Sequence, residues 1–493
     1  MELEFQKNTR EYLRCISGKC AMTEVSADCV ITDQSPDLVR VISANACACT
    51  REKQCREHCA AVNGGIRVSV LYEAEGSPAP QKLDAYIPFS VREEQEDVTE
   101  RTQIRFSCDV QSPEIRILNS RKISIHIPMA YSMSLYQPCS FTEYSPSEPP
   151  ECLQLRTETY PLHMMTDFAE RAFTVSDAIV FPAGKPLGET FCYANANAEI
   201  TEQRLAGNKA VFKGVVYGRG VYLSDQGELC QAEVQIPFSQ YCEMEQREDG
   251  ELSVQLLVAD CDWQISEDRS YAELALNLVA QCSVRSAAQV CVTEDAYCIG
   301  HRLDASWETV ELDTVLSEQK QSYAIHAHGD CDATEICDVQ IHIGQPYFDG
   351  DGLLMLPTSA DVLFKNGLQQ IESVTVKSVQ PTSIRNSAET DADVTASQLG
   401  TVSAVTDAGG VDLRYTIGTE EKIVTLWKKN TMTGGTAEPV EQDHHAAVLV
   451  RFVRDGESLW EIAKSCNTTV SEICAANRLD ESETPAGMLL IPM

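Results

Sequence analysis

Val215-Val216-Tyr217-Gly218-Arg219-Gly220-Val221-Tyr222 is dense in β-branched and aromatic residues, the composition of a strand. Asp225-Gln226-Gly227 supplies a turn, and Glu233-Val234-Gln235-Ile236 then alternates polar and apolar at the period of a half-buried strand. Working outward, much of this pattern occurs twice. Ile236-Pro237-Phe238-Ser239 matches Ile87-Pro88-Phe89-Ser90 at an offset of 149. At an offset of 150, Val25-Ser26 matches Val175-Ser176, Pro36 matches Pro186, and Ala44-Asn45-Ala46 matches Ala194-Asn195-Ala196. Gly64 and Gly214, and Tyr72 and Tyr222, keep the same offset. One register with a single slip predicts two copies of one domain.

The first copy reads as β as well. Ile66-Arg67-Val68-Ser69-Val70 alternates, and Ser77-Pro78-Ala79-Pro80 marks a loop. From about Ser306 to Lys429, Asp338-Val339-Gln340-Ile341-His342-Ile343 and Ser373-Val374-Thr375-Val376-Lys377-Ser378-Val379 alternate, with Asp349-Gly350-Asp351-Gly352 turning between them. Neither the Ala-Asn-Ala nor the Ile-Pro-Phe-Ser signature is found there, so it reads as a diverged third copy. The expected fold class is mainly β: tandem sandwich or barrel-like repeat domains with a small C-terminal βααβ module. The expected organisation is an N-terminal segment at 1–20, β domains at 21–137, 171–290 and 295–429, linkers at 138–170 and 430–446, and the module at 447–493. Ser140–Glu151 and Thr431–His445 read as linkers from their Ser, Pro, Gly and charged content, and Pro381–Gly410 as a long polar loop.

A chain of 493 residues exceeds one hydrophobic core, since cores stop growing near ~250–300 residues. Lys and Arg total 39 against 74 Asp and Glu, a formal charge of −35 that repels phosphate backbones and anionic lipids. Nucleic acid and membrane insertion are therefore not expected, and the absence of ~18 consecutive apolar residues agrees. The opening Met1-Glu2-Leu3-Glu4-Phe5-Gln6-Lys7 lacks a signal-peptide apolar region, so a cytoplasmic protein with mostly reduced thiols among its 21 cysteines is expected.

No nucleophile elbow, Walker A loop or H-E-x-x-H occurs, and no carboxylate pair stands out, so no catalytic residue and no cofactor are expected. His326, His328, Cys331, Cys337 and His342 form one candidate metal cluster; Cys47, Cys49, Cys55 and Cys59 form another. The first misses the usual C-x₂₋₄-C or H-x₃₋₅-H pairs, and in both the expectation is ordinary strand residues rather than a metal site. His444-His445 reads as solvated linker.

At the C-terminus, Val448–Val453 reads as a strand and Asp455-Gly456-Glu457 as a turn. Ser458/Glu461 and Thr469/Glu472 are capping boxes that open two short helices. Leu459, Ile462, Ala463 and Cys466 repeat at helical spacing, as do Val470, Ile473, Cys474 and Asn477. Pro485 and Gly487 precede the closing strand Met488–Ile491. Gly456-Glu457-Ser458-Leu459-Trp460, Ile462-Ala463, Thr468-Thr469-Val470, Asn477-Arg478-Leu479 and Gly487–Pro492 together resemble the LysM family. That resemblance implies a shallow groove for N-acetylglucosamine-containing glycan. One wall is Gly456, Glu457, Ser458 and Leu459, the other Asn477, Arg478, Leu479 and Pro485. Leu459 and Asn477 also suit a purely structural role, and Trp460 either packs against the sheet or anchors a partner.

Repeated β domains with the Ile-Pro-Phe-Ser strand end, followed by one LysM, are similar to the SPOCS-domain family of endospore-forming bacteria. Val175–Pro186, Gly214–Tyr222 and Ile236–Ser239 carry this likeness. It implies a non-enzymatic spore-coat assembly protein in the mother cell, at the forespore surface or spore coat. Its LysM would dock a spore-coat morphogenetic protein, the coat ATPase. The alternative reading is a peptidoglycan-binding cell-wall protein.

Overall fold

The alternation seen in the sequence is realised as long antiparallel strands in the computed structural model. The structure describes all residues except 78, 183–186, 246–249, 386–390, 408, 441–446, 455, 481–483 and 493, and the side chains of 316 and 391–393. Among the described residues helix is confined to two short segments near the C-terminus.

Three units share one strand order. In the first, the long strand Phe5–Val30 pairs with the last strand Lys122–Pro146, which also pairs with Gln103–Val110. Between them Leu38–Arg56, Cys59–Ala74 and Gln81–Glu94 form a separate three-stranded meander. The second unit repeats this: Leu153–Val180 pairs with Tyr271–Cys298, which pairs with Glu251–Ile265, facing the meander Gly188–Ala206, Lys209–Ser224, Leu229–Glu243. In the third, His301–Asp330 pairs with Gly410–Pro439, which pairs with Asp391–Asp407. Its meander is Ala333–Ile343, Leu353–Asn366, Ile371–Arg385. The two sheets of each unit enclose a core of their inward residues, such as Val62, Ile66 and Ile125 in the first unit and Phe212, Tyr222 and Leu276 in the second.

The shared signatures now have a cause. Gly64 lies opposite Phe89, and Gly214 opposite Phe238, in adjacent strands. A Cβ at Gly214 would stand 2.2 Å from the Glu199 carbonyl oxygen and 2.4 Å from the Phe238 ring; at Gly64 the corresponding distances, to Cys49 and Phe89, are 2.3 and 2.5 Å. The phenylalanine of each Ile-Pro-Phe-Ser therefore lies over a glycine that must stay bare. The central strand of the third unit, Leu353–Asn366, has no glycine, so it needs no covering ring and lacks the signature. Its first strand does keep the period: Val25, Val175 and Ile325 are buried at successive intervals of 150.

The units close into a ring. Arg67 of the first meets Asp260 of the second at 2.8 Å. Asn197 of the second donates to the Gln398 carbonyl of the third at 2.6 Å. His342 of the third donates through Nδ1 to the Val110 carbonyl of the first at 2.6 Å. At the centre, Asn45 Nδ2 donates to Asn195 Oδ1 and Gln340 Oε1, both at 2.6 Å, so the repeated Ala-Asn-Ala marks the meeting point of the three second strands. The buried alanines beside it, Ala46 and Ala194, permit that close approach. Glu2–Leu3 pairs with Gly435–Thr436 of the third unit, a further tie between the first and last units.

The expected boundaries fall inside strands. Residues 21, 137, 171, 290, 295 and 429 all lie within the long first or last strands of the units, and 1–20 is mostly the first strand. The ends of these strands leave the sandwiches and pack together in a separate core of Tyr12, Phe141, Leu162, Val292 and Leu312, with Trp427 against it. Packing on one face only gives them the mixed composition of a linker. Thus Ser140–Pro146 continues a strand, and Thr431–Pro439, expected as a tether, is strand with Met432 and Ala437 buried. The expected loop at Pro381–Gly410 is largely the strand Asp391–Asp407. The tether from residue 441 on, with His444 and His445, lies outside the described residues.

Gly214→Ala should destabilise the second unit by about 1–3 kcal/mol through overpacking, lowering the first thermal transition in calorimetry. An unchanged transition would mean that the glycine is not enclosed as described.

Candidate functional site

The C-terminal module forms as its capping boxes require. Helix α1 (Leu459–Cys466) is capped by Ser458, whose side chain accepts from the Glu461 N–H while Glu461 reaches back to the Ser458 N–H. Helix α2 (Val470–Asn477) is capped in the same way by Thr469 and Glu472. Strands Val448–Phe452 and Met488–Pro492 pair antiparallel. Leu459, Ile462, Ala463, Ile473, Leu489 and Ile491 are the module's core.

The expected groove residues divide by role. Leu459 and Pro485 are buried, and Leu479 is half-buried. Asn477 Nδ2 donates to the Leu490 carbonyl at 2.6 Å, and its Oδ1 accepts from the Leu490 N–H at 2.8 Å, pinning α2 to the closing strand. Glu457 accepts from the Arg451 guanidinium and, at 3.2 Å, from the Arg454 N–H, so it braces the turn. Gly456, Ser458 and Arg478 are exposed, Ser458 as a cap and Arg478 in the left-handed conformation that ends α2. The Val453 N–H donates to the Gly487 carbonyl at 2.9 Å, which ties the first strand's end to the closing loop. Asp455 lies outside the described residues.

Trp460 is committed to another surface. Its ring meets Tyr297 edge-on at 5.0 Å between centroids, and its Nε1 donates to Asp295 Oδ2 at 2.8 Å. Asp295 Oδ1 also accepts from Lys464 Nζ at 2.6 Å. Burial works against the Asp295 charge, yet the hydrogen bonds from Lys464 and Trp460 hold its carboxyl below the usual range. Tyr297 Oη donates to the Thr468 carbonyl at 2.8 Å, and Asn467 Oδ1 accepts from the Gly300 N–H at 3.0 Å. The module is therefore seated on the end of the second unit's last strand. Asp295 and Tyr297 were not legible as site residues, because nothing local distinguishes them from other strand positions.

The seat leaves the outer face of the hairpin open. Register places Phe452 opposite Met488 and Val450 opposite Leu490. Val448, Val450, Phe452, Met488 and Leu490 are 40–72% exposed. An apolar patch of this kind is a candidate interaction surface. Its signal was present in the sequence: Val448-Leu449-Val450 and Met488–Ile491 are apolar on both faces, while two short helices cover only one.

A second feature is the cavity where the units meet, about 440 Å³, lined by the Asn195–Gln340 hub, Asp109 and His342. Burial pushes the Asp109 carboxyl up to about 6. His342 is buried between the Val110 carbonyl and Asp361 Oδ2, the latter at 3.0 Å, while His326 and His328 are exposed on another strand. Cys47 and Cys49 stand apart from Cys55 and Cys59, which flank a hairpin turn. Neither cysteine- nor histidine-rich candidate assembles as a set. Among the described residues, one group brings three possible ligand atoms within 4.8 Å of one another: Cys152, Cys298 and His301.

Comparison with protein families matches two models: the SipL, SPOCS domain over residues 189–266 and the LysM domain over residues 453–491. The first spans the meander of the second unit and the strand Glu251–Ile265. No curated protein and no solved structure matches the chain. Among the described residues, no helix is long and apolar enough to cross a membrane.

Replacing Asp295 by Ala should release the LysM module from its seat. The loss of a doubly used carboxylate costs about 1.5–3 kcal/mol, so limited proteolysis between residues 439 and 448 should accelerate roughly tenfold or more. Unchanged cleavage would show that the Asp295 contacts do not hold the module.

Proposed function

For a chain that carries a SipL-type SPOCS domain followed by a C-terminal LysM domain, the arrangement of SipL-like proteins, we propose a non-enzymatic scaffold of spore-coat assembly. It works in the mother cell, at the forespore surface or in the coat. The ring of β units acts as a platform, and the LysM domain docks the coat morphogenetic ATPase.

The observation that carries protein docking is the apolar outer face of the LysM hairpin. Sugar rings bind through hydrogen bonds and stacking in a groove, whereas five adjacent exposed aliphatic and aromatic side chains suit the desolvated centre of a protein interface. The loop residues Gly456, Ser458 and Arg478 are exposed as well. The formal charge of −35 favours a partner whose contact surface is basic around an apolar centre. The glycan reading rests on the LysM match itself: the groove loops would hold N-acetylglucosamine units.

Phe452→Asp with Val450→Glu in the full chain should reduce capture of the coat ATPase by about tenfold or more, the loss of one or two hot-spot side chains. Circular dichroism and the thermal transition should be unchanged, since both side chains face solvent. A folded double variant that captures the ATPase like the wild type would remove the hairpin face as the docking site. Saturable binding of chitin oligomers by the wild type, without ATPase capture, would establish the glycan reading instead.

A further inference from the structure

We propose that Cys152, Cys298 and His301 bind a thiophilic divalent ion of the zinc class at the joint that seats the LysM domain. Their three ligand atoms lie within 4.8 Å of one another. Two thiols and one imidazole form a soft donor set that selects zinc-like ions over magnesium or calcium.

Three local features build the site. Cys298-Ile299-Gly300-His301 is a two-residue spacer, and Gly300 at φ +71° turns the chain so that its flanking side chains come together. His301 Nδ1–H donates to the Ile299 carbonyl at 3.0 Å, which fixes the tautomer and leaves the Nε2 lone pair for a metal. Cys152 is delivered from the turn just before the second unit's first strand: its carbonyl accepts from the Ile299 N–H at 2.8 Å, and its Sγ lies 2.9 Å from Cys298 Sγ. Two thiolates on one tetrahedral ion stand ~3.8 Å apart, given a Zn–S length of about 2.3 Å, so the pair opens by less than an ångström on binding. A disulfide would use only the two sulfurs and leave the histidine and its oriented tautomer without a role. Solvent completes the fourth position, and the ligands release their thiol protons as the ion enters.

The position explains what the ion would do. Cys152 ends the crossing from the first unit to the second, Cys298 ends the second unit's last strand, and His301 begins the third unit. Gly300, between two of the ligands, donates to Asn467 of the LysM domain and accepts from the Val440 N–H at 3.0 Å. One ion therefore fastens all the segments that meet under the LysM seat.

The test uses the full chain, reduced and stripped of metal, titrated with Co²⁺ as a spectroscopic probe and then with Zn²⁺. One equivalent of Co²⁺ should give a thiolate-to-cobalt charge-transfer band that Zn²⁺ displaces. Cys152→Ser and His301→Gln should each weaken binding by roughly 10–100-fold or more, while Cys20→Ser, on an exposed strand position, should change nothing. On the wild type, Zn²⁺ should also slow alkylation of Cys152 and Cys298, read by peptide mass spectrometry, which needs no variant to fold. The proposal is overturned if no tight equivalent of Co²⁺ binds. It is equally overturned if the band persists in both ligand variants, or if Cys152 and Cys298 are joined as a disulfide in protein isolated under metal-replete, reducing conditions.

Discussion

The first and last strands of each unit pair antiparallel over almost their whole length, and this ribbon is the element on which the rest depends. In the second unit the pairing runs from Leu153 against Cys298 to Val180 against Tyr271. One half of each ribbon forms a wall of its sandwich. The other half projects and packs against its counterparts through Tyr12, Leu162 and Leu312, placed 150 residues apart. A single long pair thus serves two cores, and its rigidity fixes the angle between them. The LysM seat at Asp295 and Tyr297 is simply the far end of one such ribbon.

Closure into a ring also handles the sheet edges, which otherwise invite pairing with other chains. Gln281 of the second unit donates to the Phe106 carbonyl at 2.7 Å and accepts from the Phe106 N–H at 2.8 Å, so a neighbouring side chain satisfies the first unit's short edge strand. Lys53 lies between Glu170 and Gln281 across the same boundary, donating to Gln281 at 2.5 Å. Buried polar groups recur where the units meet: Asp338 of the third unit accepts from Tyr193 of the second at 3.1 Å and faces the Arg219 guanidinium at 3.5 Å. Burial pushes the Asp338 carboxyl up while Arg219 opposes that shift. Such contacts are weak evidence for added stability, but they fix which unit meets which.

The binding module follows the same economy. Its inward apolar residues are spent on a small core, and Trp460, the large aromatic nearest the groove, is spent on the seat. Its outer strand face remains as the apolar surface not used by the fold. Attachment and the exposed apolar face are thereby placed on different sides of one module: Trp460, Lys464 and Thr468 make the contact to the second unit, and the outer face of the hairpin stays open.

The sequence by itself determined the strands, the two-copy repeat, both capping boxes and the LysM and SPOCS likeness, because each rests on local spacing or on a pattern that recurs in register. It also held the clue to the hairpin patch, in strands apolar on both faces. Tertiary structure alone decided the rest. The third unit keeps the topology while its glycine–phenylalanine pair is gone, since strand order survives when a particular packing pair does not. The ribbon ends read as linkers because they bury one face against other units, and partner surfaces leave no periodic trace in the chain that meets them. The Asn45–Asn195–Gln340 hub, the Asp295 seat and the Cys152–Cys298–His301 group each join residues more than a hundred positions apart. The repeat offset aligns Asn45 with Asn195 but does not say that they touch; ring closure joins the hub, the pairing of the second unit's first and last strands joins Cys152 to Cys298, and the docking of the LysM domain brings Trp460 to Asp295.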